Sequence, residues 1–171
     1  PSAGQPALLT ADEAETMFHE FGHALHNLFR DVHYYGVSSV PRDFVELPSQ
    51  VNEHWVFEPE MLKEYAKHYE TGEVIPAELV ERLNQCGKYG QGFTTTEYLA
   101  ASLLDMDFHT MKEIPADFDV MDFEQKTLAE RGLLSQIPSR YRTTYFNHTM
   151  GGGYTAGYYS YLWSEVLDAD A

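Results

Sequence analysis

The run His19-Glu20-Phe21-Gly22-His23 sets two imidazoles four residues apart, with a glutamate directly after the first. On a helix, residues four apart share a face, so both rings can converge on one cation. Glu20 points about 100° round the same helix and can reach a water beside that cation without binding the cation itself. Zinc in such a site acidifies the water, and a neighbouring carboxylate can take its proton and later hand it to a leaving amine. Composition alone predicts about 0.04 such motifs in a chain of this length, so coincidence on a buried helix is the weaker reading.

An open zinc site needs a third protein ligand. The metzincin pattern would place Gly and then His further along the same helix, but this chain has His26 and Phe29 at those positions. One helix rarely wraps three ligands round one ion, which makes His26 a packed or hydrogen-bonding neighbour. A glutamate from a second helix remains. Glu46, Glu53, Glu58 and Glu60 are candidates by spacing, and Glu46 and Glu53, seven residues apart, would share a face. Spacing leaves that choice open. Asn52, Glu53 and His54 are also candidates for groups that orient the ligands from behind.

The elements that must carry these residues read as helices. Thr10-Ala11-Asp12-Glu13 fits a capping box. The helix it opens runs to about residue 30. Ala14, Met17, Phe18, Phe21, Leu25, Leu28 and Phe29 recur at threes and fours, as on a helix buried over much of its surface. Residues 32–41 form a loop with room for a short strand. A second helix starts near Asp43 and ends before Pro59, with a kink or late start at Pro48. Further helices are expected over 58–69, from Pro76 until the pattern fades at 87–92, over 94–111, 122–133 and 156–167. Residues 138–148 follow no clear period, and Gly151-Gly152-Gly153 is a flexible loop. The fold class is mainly α, in one region over 1–171, with no repeat and no convincing linker.

The chain has 171 residues, 43% of them apolar and 22% charged, enough for one ordinary folded core. Its net charge of −16 argues against nucleic acid and against anionic membrane surfaces, which call for a basic footprint. No stretch approaches the about 18 apolar residues of a membrane span. The one cysteine, Cys86, excludes an internal disulfide and a multi-cysteine zinc knuckle, and suits a reducing compartment. The chain starts at Pro1 with no signal-peptide pattern. A phosphate-binding loop would need Lys and Ser/Thr after its last glycine, whereas Tyr154-Thr155-Ala156 follows here. On residue types alone, Tyr154, Tyr158, Tyr159 and Tyr161 read as amphipathic core residues after a helix-entry loop.

Several runs together resemble the thimet oligopeptidase family of zinc metallopeptidases. They are Met17-Phe18-His19-Glu20-Phe21-Gly22-His23-Ala24-Leu25-His26, Pro41-Arg42-Asp43-Phe44-Val45-Glu46-Leu47-Pro48-Ser49-Gln50, Tyr141-Arg142-Thr143-Thr144-Tyr145-Phe146-Asn147-His148, and Gly152-Gly153-Tyr154-Thr155-Ala156-Gly157-Tyr158-Tyr159-Ser160-Tyr161-Leu162-Trp163. The run at residues 88–100, Lys-Tyr-Gly-Gln-Gly-Phe-Thr-Thr-Thr-Glu-Tyr-Leu-Ala, is similar to the bacterial peptidyl-dipeptidase branch. The resemblance implies a zincin-like helical catalytic region of a two-lobed, clam-shaped metallopeptidase. It implies one Zn²⁺ held by His19, His23 and Glu46, with Glu20 as general base. It implies that His148, Tyr154 and Tyr161 act on the substrate carbonyl, Tyr154 from a mobile glycine loop. The implied substrates are short peptides, cut to release C-terminal dipeptides. The alternatives are an internally cutting oligopeptidase and a catalytically silent zinc-binding module. Family members are much longer, so the resemblance also implies a catalytic-region fragment whose missing N-terminal and C-terminal parts are partners of the site, in a bacterial cytoplasm. Such a fragment is expected to bind zinc but to cleave poorly.

Overall fold

The structure is a computed structural model and describes residues 3–4 and 6–171. The described residues are helical, with an isolated antiparallel bridge between Lys67 and Val74. They divide into two compact units, one of residues up to Lys88 together with Ser164–Ala171, the other Tyr89–Trp163. None of the described helices is long and apolar enough to cross a membrane.

In the first unit, helix α1 (Ala11–Leu28) opens with the expected capping box. The Glu13 N–H donates to Thr10 Oγ1 at 3.2 Å, and the Thr10 N–H donates to Glu13 Oε2 at 2.8 Å. Two 3₁₀ turns follow, Tyr35–Val37 and Arg42–Phe44, the first lying where the loop had room for a strand. Helix α2 (Leu47–Glu53) is the late start that Pro48 implied, since proline in a first turn forfeits no helical hydrogen bond.

Gly22 sets how closely α1 and α2 meet. A Cβ there would lie 2.5 Å from Ser49 Cα and 2.6 Å from the Pro48 carbonyl oxygen, so the two backbones touch where α1 has no side chain. The Asn52 amide donates to the Phe18 carbonyl at 2.6 Å and fixes the register. The expectation of a broadly buried α1 is corrected here. Only Ala14 and Gly22 are buried on it, while Met17, Phe21, Leu28 and Phe29 are each at least half exposed. The short α2 covers one side, and period alone does not say which part of an apolar stripe finds a neighbour.

Helix α3 (Pro59–Tyr65) ends sooner than its pattern suggests. The His68 N–H donates to the Glu73 carbonyl at 2.8 Å, and Gly72 turns the chain at φ +73°, so the backbone pairs across a turn. Helix α4 (Ala77–Cys86) follows Pro76.

The second unit is built round α5 (Gln91–His109), which starts ahead of residue 94 from the left-handed Gly90. Residues four apart give it two buried faces. Ala100 and Leu104 pack with Leu128 of α6 (Val120–Glu130), and Ala101 packs with Phe146 and Tyr158. Asp119 caps α6, accepting from the Met121 and Asp122 N–H groups at 2.9 and 3.0 Å. The region without a clear period contains a 3₁₀ turn, Thr143–Tyr145, and a single helical turn, α7 (Asn147–Met150). The buried Glu124 anchors it, accepting from the Thr143 N–H, the Thr143 hydroxyl and Arg142 Nη1, each at 2.8 Å. Helix α8 (Ser160–Asp168) starts later than residue 156, because Ala156 has φ +51° and cannot continue a right-handed helix.

Candidate metal centre and tyrosine cluster

Helix α1 presents His19 and His23 on one face, their ring centroids 4.9 Å apart and edge to face. Glu46, just before α2, is 2% exposed and enters between them. Its Oε2 lies 3.2 Å from His19 Nε2 and 3.2 Å from His23 Nε2. The Ser49 hydroxyl donates to the Glu46 carbonyl at 2.7 Å and lies 3.1 Å from Oε2, which aims the carboxylate back toward α1. Tetrahedral zinc with bonds of about 2.0 Å separates its ligand atoms by about 3.3 Å. The distances from Glu46 to both imidazoles therefore suit a tetrahedral cation. Among the described residues His19, His23 and Glu46 form a group that could hold a metal.

The choice left open by spacing resolves into two different positions. Glu46 meets both Nε2 atoms, whereas Glu53 Oε1 lies 2.5 Å from the opposite nitrogen of His19, Nδ1. An ionised carboxylate only accepts, so Nδ1–H donates to Glu53, and Nε2 donates to Glu46 when protonated and has a lone pair for a cation when it is not. The hydrogen bond to Glu46, then that to Glu53, pushes the His19 pKa up to about 10. A metal held by His19 here would have to displace the Nε2 proton. Burial, then the Glu53 charge, raises the Glu15 and Glu165 carboxyls above the usual range, so the surroundings of His19 are acidic.

Asn52 and His54, the other candidates for orienting the ligands, take different partners. Asn52 ties α2 to α1, and His54 Nε2 lies 2.9 Å from Asp168. Glu20 is exposed on α1. His26 packs edge-on against Phe44 at 6.3 Å, the neighbour role expected of it. Glu58 and Glu60 are exposed at the start of α3 and lie outside the group. The contributions of Gly22 and Ser49 were not read from the sequence. The glycine inside the histidine motif was the available signal, as a place where another backbone can approach.

His148, Tyr154 and Tyr161 lie in the second unit and gather there. The rings of Tyr154 and Tyr161 stack at 5.1 Å and 23°. His148 lies 6.1 Å from the first and 6.3 Å from the second, centroid to centroid. The glycine run before Tyr154 is closely tied. A Cβ on Gly152 would lie 2.6 Å from the Asn147 carbonyl oxygen, the Tyr154 N–H donates to the His148 carbonyl at 2.8 Å, and the Thr155 hydroxyl donates to the Thr149 carbonyl at 2.9 Å. Beneath the cluster, burial pushes the Tyr158 phenol up and keeps it protonated. Arg140 Nε donates to its oxygen at 3.2 Å, and the Tyr98 hydroxyl donates to its backbone carbonyl.

Two histidines and a buried carboxylate on paired helices define a helical protein with a candidate metal site. The chain belongs to peptidase family M3, a family of metallopeptidases, which matches it over residues 1–171. It is 49% identical to the dipeptidyl carboxypeptidases of Salmonella typhimurium and of Escherichia coli, over 99% of this chain and 25% of each relative. It is 43% identical to oligopeptidase A of Escherichia coli, over 100% of this chain and 26% of that relative. The chain thus spans about a quarter of the length of these relatives.

Proposed function

We propose that residues 1–171 form the metal-bearing part of one catalytic region in a zinc peptidase that cuts short peptides and releases C-terminal dipeptides. The observation that carries this reading is the meeting of both Nε2 atoms with one buried carboxylate oxygen, at 3.2 Å each. His19, His23 and Glu46 would hold one zinc ion, which when bound supplies Lewis-acid charge that polarises a carbonyl and acidifies water. Glu20 takes the proton of the attacking water and returns it to the leaving amine. His148, Tyr154 and Tyr161 donate hydrogen bonds to the carbonyl oxygen as negative charge grows on it. A phenol is a neutral donor near pH 7 and suits that task.

The partners in this reading are short peptides and the remaining parts of a longer chain. Nucleic acid and membranes are not among them. A bacterial cytoplasm fits the single exposed cysteine. The likeness to oligopeptidase A favours a second reading, internal cleavage. Mass spectrometry of products from peptides with free and blocked C-termini separates the two. Serial loss of dipeptides from the free end alone supports the first. Equal internal cutting of both peptides supports the second. Full zinc uptake with no cleavage by the full natural chain would leave a silent zinc-binding module.

A further inference from the structure

Asp105 lies in the interior of α5 and is fully buried. A buried carboxylate is retained only where hydrogen bonds replace its water, and the partners of this one are specific. Its Oδ1 accepts from the Ala156 N–H at 3.0 Å and its Oδ2 from the Tyr158 N–H at 3.0 Å. His109 Nδ1, one helical turn on, lies 2.8 Å from Oδ1. One side chain thus grips two alternate amides of the segment that joins Tyr154 to Tyr161.

The gripped segment has an unfavourable backbone. Ala156 is the only described non-glycine residue with positive φ, at +51°. A Cβ disfavours that conformation, and such a residue persists where its surroundings over-determine it. Asp105 supplies the hold from one side, and the Gly157 N–H, donating to the Tyr154 carbonyl at 2.9 Å, closes the turn from the other. The turn folds the chain back so that the Tyr154 and Tyr161 rings stack.

We propose that Asp105 is a positioning residue: its carboxylate locks the 156–158 turn and thereby sets where the Tyr154 and Tyr161 hydroxyls point. The proposal rests on the reading of those tyrosines as donors to the substrate carbonyl. Donor placement matters steeply, because a shift of about 1 Å can cost about 100-fold in rate.

The test is a set of variants in the full natural chain that carries this sequence, with zinc affinity, kcat and KM measured well below the unfolding temperature. Asp105→Asn keeps the size but turns one acceptor into a donor facing an N–H. It is expected to lower kcat about 10- to 100-fold, with KM within about twofold and zinc affinity unchanged. Adding Tyr154→Phe should cost little more, because both changes remove the same donor. Adding Ala156→Gly should recover part of the loss, since glycine takes positive φ freely. If Asp105→Asn does not fold, Ala156→Val strains the same turn from its other side and should lower kcat in the same way.

Wild-type kcat in Asp105→Asn, or in Ala156→Val where that stands in, overturns the proposal. So do losses that multiply in the double variant. A Tyr154→Phe variant at full kcat sinks the donor reading itself. A Tyr154→Phe loss beside an unaffected Asp105→Asn sinks only the role of Asp105.

Discussion

The two units assemble their chemical groups by different means. In the first, two imidazoles meet because helix geometry puts residues four apart on one face, and one carboxylate is brought to them by a close helix contact at Gly22. In the second, the histidine and tyrosines come from a single-turn helix, a loop and the start of α8. They are ordered by hydrogen bonds to buried acids, Glu124 under residues 142–143 and Asp105 under residues 156–158. A site built on helical period tolerates change off its face. A site built on a pinned turn depends on residues that carry no chemistry themselves.

Glu20→Gln should break the first site most visibly, lowering kcat by about 10²- to 10⁴-fold while zinc binding stays intact. Metal analysis beside a peptide assay checks both halves, and activity near wild type would refute the role of Glu20 as base. Glu53→Gln keeps the shape but replaces an ionised acceptor on His19 Nδ1. It should weaken zinc binding about 10- to 100-fold, read by competition with a chelating dye. Unchanged affinity would reduce Glu53 to a surface acid.

The comparison sharpens with paired glycine variants. Gly22→Ala drives a methyl group into the Pro48–Ser49 backbone and should destabilise by about 1–3 kcal/mol, with weaker zinc binding because Glu46 moves with α2. Gly152→Ala meets the Asn147 and His148 backbone and should leave zinc affinity untouched while lowering kcat. Zinc loss in the second variant, or none in the first, would contradict this separation.

The smallest effect expected is one of pH on the metal-free chain. The folded-state pKa of His19 is raised from 6.5 to about 10, with the hydrogen bond to Glu46 the largest cause. Its contribution to stability is therefore fully present below about 6.5 and is lost as pH rises through about 10. Denaturation midpoints at pH 6, 8 and 10 should fall more for the wild type than for His19→Ala. Parallel curves would contradict it.

Much of the first unit was legible in the residues. The capping box at Thr10 and Glu13 and the late start at Pro48 act within a few residues, so their outcome follows from local chemistry. Glu46 and Glu53 were not separable by spacing, because a seven-residue interval puts both on one face whatever each touches. The family resemblance implied Glu46, and the geometry places it between the imidazoles. The exposed side of α1 was not legible, since period marks a stripe and not its neighbour. The end of the last helix was readable but its start was not. Ala156, at positive φ, donates its N–H to Asp105, some fifty positions away in sequence, and no local pattern encodes that contact. Asp105 itself left one trace, an acid four residues after Ala101 on a face that packs inward.

The most direct test is zinc titration of metal-free protein, followed by elemental analysis after exhaustive buffer exchange, for the wild type and for Glu46→Gln. One tightly held zinc ion per wild-type chain, absent or far weaker in Glu46→Gln, is the result predicted. Wild-type protein that retains no stoichiometric zinc, or a Glu46→Gln variant that binds it as tightly, would contradict the account at its centre.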